Sequence, residues 1–350
     1  FEISDSFSES EHDVLVSSGE QVACSLIAGR LIHEGHESRS WLSWQIPIIT
    51  LGDYKHSRIN QINKNKITKY LKEGGIPIIT GFQGVNNENR ITTLGRGGSD
   101  ASAIMLAKFF KAKRCIIYTD VEGVYTTDPK KLKKAKKIKL ISYEEMLEMA
   151  SLGAKVMQPI SIQDARLNRT DIEVKSSFKN KLGTIITKRK NIVNRNIITG
   201  ITSTQNDAKV TLVGIKDKPG IAASIFKPLS ESSINVDMVV QNISANGKET
   251  DLTFTIKNED LNRTRRITNG NKQINFKKLL FDKNVSKVSI VGVGMITTPG
   301  VTYRMFQALA NNKINIQVIS TSEIKISVLI DKKNIKKAVS ALHKEFKLDK

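Results

Sequence analysis

With 350 residues the chain is long enough to bury a large core and to hold two or three domains. Its net charge of +21 raises a nucleic-acid partner, but the lysines and arginines are spread along the whole chain. The densest cluster, Lys130-Lys131-Leu132-Lys133-Lys134-Ala135-Lys136-Lys137, has no aromatics among its lysines, so a solvated basic surface is the better reading. No apolar run could span a bilayer, Cys24 and Cys115 are too few for a disulfide framework, and no His/Cys spacing suits zinc, which together fit a reducing cytoplasm with neither membrane nor nucleic acid as partner.

The chain opens at Phe1 without an initiator Met, and we expect the natural N-terminus to be missing. Residues 13–35 read as a strand-to-helix unit, the helix starting near Gly19, with Glu20 in its first turn where the dipole favours an acid. Two tryptophans, Trp41 and Trp44, precede an extended apolar piece, Ile46-Pro47-Ile48-Ile49-Thr50, and read as core or a pocket wall. Ile67–Leu71 predicts a short helix stopped by Gly74-Gly75, and Ile76–Phe82 a strand with its proline near the start.

Next comes the most informative stretch, Thr92-Thr93-Leu94-Gly95-Arg96-Gly97-Gly98-Ser99-Asp100, followed by a strongly helical Ala101–Phe110. Glycines let backbone approach a ligand closely, and the first amides of a helix, with its dipole, favour an anion. Arg96 adds a planar fork suited to a carboxylate or phosphate. The spacing is neither that of a P-loop nor that of a dinucleotide fingerprint. A plain glycine turn capped by Asp100 would need neither the arginine nor the serine.

Arg114–Asp120 reads as a continuous apolar strand buried on both faces, as in a parallel sheet. Asp120 then stands at its carboxyl end, where open α/β sheets bind ligands, and Tyr125 could stack on a base. A helix over Glu144–Ala150 precedes Gly153-Ala154-Lys155, whose lysine can meet a phosphate. Alternating strands and helices to about residue 187 predict a three-layer αβα domain. Residues 188–208, polar and basic, read as a linker.

Beyond it lies an internal repeat, with Pro219, Gly220, Phe226, Leu229, Ile234 and Asn235 each recurring 80 residues later as Pro299, Gly300, Phe306, Leu309, Ile314 and Asn315. Each copy reads strand, Pro-Gly turn, helix, strand, strand, with a helical tail from Ile335 to Phe346 in the second, which is the ferredoxin-like βαββαβ order. The expected boundaries are 1–187 for the first domain, 209–284 for one repeat and 285–350 for the other.

In this order, Ser18-Gly19-Glu20, Gly81-Phe82-Gln83-Gly84-Val85, Thr92–Asp100, Tyr118–Pro129, Gly153-Ala154-Lys155 and the Pro-Gly repeats resemble the aspartokinases. These are amino-acid kinases with tandem C-terminal ACT domains, and the resemblance covers essentially the whole chain. It is closest to the monofunctional type controlled by lysine plus threonine. The resemblance implies transfer of the ATP γ-phosphoryl group to the side-chain carboxylate of L-aspartate, giving 4-phospho-L-aspartate with Mg²⁺, the first step towards lysine, threonine and methionine.

The same resemblance matches Arg96, with Gly97, Gly98 and Ser99, to the substrate α-carboxylate, Glu20 to its α-amino group, and Asp100 to the acid that organises the reacting centre. It matches Thr119, Asp120, Tyr125, Asp128, Lys130, Lys155 and Val156 to the nucleotide, and no side chain to direct metal ligation. Amino-acid effectors would meet Asp217, Gly220, Ile221, Ala222, Asn235, Asp237 and Gln241 in the first repeat. In the second they would meet Thr298, Val301, Asn315, Ile316 and Ser322. Asp217 and Asp237 suit an α-amino group, and loop capping accounts for either equally well. ACT pairing implies a homo-oligomer, dimer or tetramer, with or without a short regulatory subunit, and the second module can be inserted within the first.

Two departures stand out. The family's Lys-[Phe/Tyr]-Gly-Gly stretch, whose lysine stabilises the transferred phosphoryl, is not found, so a chain beginning at Phe1 is expected to turn over poorly. The family's Asp-Pro-Arg is Asp128-Pro129-Lys130 here. The rivals are another amino-acid kinase, acting on glutamate or acetylglutamate, and a non-catalytic amino-acid sensor with a degenerate kinase half.

Overall fold

The computed structural model describes residues 6–154, 156–192, 196–243, 249–271 and 274–349. They divide into two compact units, one holding the chain up to Val124, Lys137–Ser151 and 156–192, the other holding Tyr125–Lys136, Leu152–Ala154 and the chain from 196 onward. No described helix is long and apolar enough to cross a membrane.

The first unit runs α1 (Glu9–His33), β1 (Ser38–Trp41), β2 (Ile48–Leu51), β3 (Arg58–Ile62), α2 (Asn65–Lys72), β4 (Ile76–Ile79), β5 (Gln83–Val85), β6 (Ile91–Thr93), α3 (Gly98–Phe109), β7 (Cys115–Thr119), β8 (Leu140–Ser142), α4 (Tyr143–Ser151), α5 (Pro159–Asn168), β9 (Ile172–Ser176) and β10 (Thr184–Thr187). Strands order as β3-β2-β5-β6 and β7-β9-β10-β8, with β1 and β4 paired in parallel. Helix α1 packs on β1, β4 and β6, while α3 packs on α5 and β7, giving the expected α/β layering. Trp41, Ile46, Ile48, Ile62 and Ile67 form a core, with Tyr70 set edge-on to Trp41 at 5.8 Å. Trp44, by contrast, is exposed, so only one of the two tryptophans serves as core.

Two local expectations change. Residues 13–18 are not a strand: α1 starts at Glu9, where the Ser8 hydroxyl accepts the Glu11 N–H at 3.3 Å. Glu20 therefore lies mid-helix and gains nothing from an N-terminal dipole. The β-branched run hid the true start, and a helix this long absorbs the roughly 1 kcal/mol that an interior Gly19 costs. Strand β7 is a sheet edge rather than a strand buried on both faces, and Ile116 and Tyr118 point out of the unit's core.

The second unit contains β11 (Gly200–Thr204), β12 (Asp207–Lys216), α6 (Ile221–Glu231), β13 (Asp237–Ile243), β14 (Glu249–Lys257), α7 (Leu261–Gly270), β15 (Lys278–Asp282), β16 (Val285–Val291), α8 (Val301–Asn311), β17 (Ile316–Thr321), β18 (Lys325–Asp331) and α9 (Ile335–Glu345). Two antiparallel sheets result, β13-β14-β12-β15 and β11-β16-β18-β17. The duplication is conformational as well as sequential. Gly220 (φ 87°) and Gly300 (φ 82°) cap α6 and α8, and the Ile234 and Ile314 N–H groups close the helix ends on Leu229 and Leu309 carbonyls at 2.9 and 3.0 Å. A bulge interrupts pairing just after Asp237 in one copy and just after Ile316 in the other.

The segment 188–208 is not simply a linker. It carries β11, which pairs with β16 and occupies in the second sheet the edge place that β15 holds in the first. The second module is thus built from both sides of the first, which is the inserted one, the reverse of the expected nesting. Buried Ile198 and Ile201 anchor β11 in the second module's core, but they are too few among polar neighbours to show a periodicity. Between the modules, Met238, Val240, Val285, Val318 and Leu329 share a small apolar cluster.

Candidate active site

Strand β6 delivers the chain into the glycine turn, and the turn delivers it into α3. The Leu94 N–H bonds to the Phe82 carbonyl at 2.9 Å and the Gly98 N–H to the Gly95 carbonyl at 3.0 Å. Gly97 holds the left-handed cap of α3 at φ 81°, and a Cβ there would come within 2.5 Å of the Gln158 side chain. At Gly95, a Cβ would meet the Lys55 carbonyl oxygen at 2.6 Å. The turn consequently lies tight against α5 on one side and the loop around Lys55 on the other.

A pocket of about 480 Å³ opens here, lined by Gly95, Arg96, Gly97, Gly98, Ser99 and Asp100 together with His12, Lys55, His56, Phe82 and Thr93. Arg96 and Ser99 are exposed, Asp100 is half-buried, and the positive end of the α3 dipole lies at the turn. Burial pushes the Asp100 carboxyl above its ordinary range. The arrangement can hold an anion against amides and a guanidinium, with a carboxylate close by.

His12, Lys55 and His56 were not foreseen, because they come from α1 and a distant loop that no local motif marks. What brings them in is Asp13, which is fully buried. Its Oδ2 accepts the Lys55 N–H at 2.9 Å and the Thr93 N–H at 2.7 Å, and its Oδ1 accepts the Thr93 hydroxyl at 2.9 Å. One carboxylate on α1 therefore fixes both the Lys55 loop and the strand entering the turn. Glu20, half-buried in α1, is not on the pocket lining; its charge, after burial, helps push up the Cys24 thiol.

The nucleotide candidates fall in both units. Thr119 and Asp120 close β7 in the first, the Thr119 hydroxyl donating to the Asp120 carboxylate at 3.1 Å, and half-buried Val156 lies there too. Tyr125, Asp128 and Lys130 belong to the second, where Asp128 caps its own turn by accepting the Lys130 N–H at 2.9 Å. Lys155 lies outside the described residues.

Of the effector candidates, Gly220 sits at the helix start, with Ile221 buried beneath it, Ala222 partly covered and Asp217 exposed. Asn235, just before β13, and Asp237 and Gln241 on it are exposed, and the buried Lys287 ammonium holds Asp237. Burial raises that carboxyl, and Lys287, with the Met238 N–H and Lys325, more than offsets the effect, leaving the pKa below its usual range. In the other copy Val301 is buried, Thr298 and Ile316 are half-buried, and Asn315 and Ser322 are exposed.

The amino acid kinase family profile matches residues 2–176, and the ACT domain profile matches 210–269 and 288–346. The chain is 45% identical over 341 residues to an aspartate kinase of Stutzerimonas stutzeri, covering 97% of this chain and 82% of that one. Among solved structures it resembles E. coli aspartokinase III in complex with aspartate and ADP (TM-score 0.79, 25% identity, 97% of this chain and 77% of that one). It also resembles the same enzyme in complex with lysine and aspartate (TM-score 0.80, 26% identity, 98% of this chain and 77% of that one).

Proposed function

The chain belongs to the aspartate kinases of the amino acid kinase family, and from that premise we propose that it phosphorylates the side chain of L-aspartate with ATP, giving 4-phospho-L-aspartate, in the pocket under the glycine turn. The observation that carries this is the convergence of Arg96, the α3 N-terminus and Asp100 on one cavity. In this proposal Arg96 grips the substrate α-carboxylate through two parallel hydrogen bonds, and Gly97, Gly98 and Ser99 shape the backbone around it. Asp100 organises the reacting end of the substrate. Phosphoryl transfer asks for alignment and charge neutralisation more than for covalent chemistry, and a glycine cradle with a fixed cation supplies both. Glu20 is assigned to the α-amino group by family likeness alone, since the pocket lining does not include it.

Thr119, Asp120, Tyr125, Asp128, Lys130, Lys155 and Val156 are proposed to hold the nucleotide. Among the described residues no group of three metal-ligating side chains occurs. Mg²⁺ would ride on the nucleotide phosphates, as it commonly does, and would neutralise charge there.

Lysine and threonine are the proposed effectors at the ACT loops, acting by differential affinity for two states of a homo-oligomer in the cytoplasm. The solved relative that holds lysine supports an amino acid in this role. A coupled ATP/aspartate assay on the full-length protein, with lysine and threonine added separately and together, tests the whole proposal. Aspartate-dependent ADP release, depressed by one or both effectors, is expected. Preference for glutamate derivatives, or ADP release indifferent to aspartate, would refute it.

A further inference from the structure

The loop that carries Tyr125, Asp128 and Lys130 is tied at its neck to the regulatory half of the chain. Thr126 and Lys136 close it, with the Thr126 N–H donating to the Lys136 carbonyl at 2.8 Å and the Lys136 N–H to the Thr126 hydroxyl oxygen at 3.0 Å. The loop interior is a turn on Asp128, whose carbonyl accepts the Lys131 and Leu132 N–H groups at 2.9 and 3.0 Å. Asp128, Pro129 and Lys130 are exposed, so little apolar packing holds the tip.

Three of its outward contacts, two at the neck and one from Lys131 in the interior, hold the loop instead. The Ile201 N–H of β11 donates to the Thr126 carbonyl at 2.7 Å, and the Lys131 ammonium donates to the Ser203 carbonyl and hydroxyl oxygens at 2.9 Å each. The third is the Thr126 hydroxyl with His343 Nε2, on α9, at 2.9 Å. Thr126 is 8% exposed and His343 2% exposed, so this bond lies out of water, where an unmade partner is costly.

Its direction turns on the imidazole tautomer, and the Thr126 hydroxyl is taken as the donor. The Thr126 oxygen already accepts from Lys136, and its one proton is free to go to Nε2. That requires neutral His343 with its proton on Nδ1, and burial favours the neutral form.

We propose that His343 is a positioning residue for the nucleotide loop, acting through Thr126 from the last helix of the second repeat. This rests on assigning Tyr125, Asp128 and Lys130 to the nucleotide. Asp128 is two residues and Lys130 four from the anchored threonine, so a loosened neck spreads the nucleotide contacts. The glycine turn is built from other elements and keeps its shape.

The test uses the full-length protein with His343→Leu, which removes the acceptor and keeps apolar volume, Thr126→Val, the double variant, and His343→Gln, whose Oε1 can accept where Nε2 did. KM for ATP is expected to rise about three- to tenfold in either single apolar variant, and no further in the double. KM for aspartate should stay within about twofold, and His343→Gln should recover most of the ATP affinity. Trypsin should cut faster within Lys130–Lys137 in the apolar variants, with the site identified by mass spectrometry.

Parallel rises in both KM values, or a folded His343→Leu protein with unchanged KM for ATP and unchanged tryptic cutting, would overturn the proposal. Asp128→Ala and Lys130→Ala separate the two layers: if neither alters KM for ATP, the nucleotide assignment fails, while the tryptic readout still reports whether His343 holds the loop.

Discussion

At the scale of single residues, the glycine turn sets two expectations. Arg96→Lys keeps the charge and removes the fork, so a two-pronged grip becomes one flexible contact. We expect kcat/KM for aspartate to fall by about ten- to a hundredfold, the worth of one charge-assisted hydrogen bond, with KM for ATP little changed in steady-state kinetics. Gly97→Ala places a Cβ against Gln158 at a φ of 81°. It should cost about 1–3 kcal/mol of stability, read by urea titration, and should weaken aspartate binding because the α3 start moves with the strain. The turn was legible in the sequence because its chemistry is contiguous: cation, glycines, hydroxyl and acid occupy one short run. The opposite wall was not legible. Asp13 draws the Lys55 loop to the turn through backbone N–H groups, and every residue has such groups, so nothing in the residue order announced the contact.

At the scale of elements, buried charge decides two further outcomes. Lys287 on β16 is nearly buried and is held by Asp237 on β13. Asp237→Asn strands that ammonium, and because Asp237 is itself about half exposed the cost should be only about 1–2 kcal/mol. Adding Lys287→Met should recover most of it, as a denaturant double-mutant cycle would show. Helix α9 carries the other case. Burial depresses the His343 pKa below its ordinary 6.5, with Asp349 pulling partly the other way. The contribution is full above pH 6.5 and is lost as pH falls through the lowered folded value, because in that window the unfolded chain binds more protons. The acid side of the Tm–pH profile should therefore flatten in His343→Gln. Among elements, the repeats were plain from sequence: the Pro-Gly turn and apolar spacing, recurring at 80 residues, fix the same cap, helix and bulge twice. The start of α1 was obscured because its β-branched stretch imitates a strand, and β7 because an edge strand and a buried one share the same apolar letters.

At the scale of the whole molecule, domain count and order followed from the residues, whereas the nesting of the modules did not. A five-residue strand among polar neighbours has no periodicity to declare it, and only its pairing with β16 shows where it belongs. A fragment of residues 196–350 should accordingly fold as a soluble regulatory unit. One of residues 207–350 exposes the β16 edge and should aggregate or melt earlier, a difference that light scattering and calorimetry would detect.

The early placement of β11 also sets a timetable for synthesis. This strand leaves the ribosome ahead of β12 to β15, and its neighbour β16 follows only after all of them. The inserted repeat can close by itself while β11 waits with an unpaired edge, and the outer repeat completes only once β16 to β18 have followed. Nascent chains stalled with β15 just clear of the exit tunnel should then hold one folded repeat and one vulnerable strand, the form that chaperones would be expected to meet.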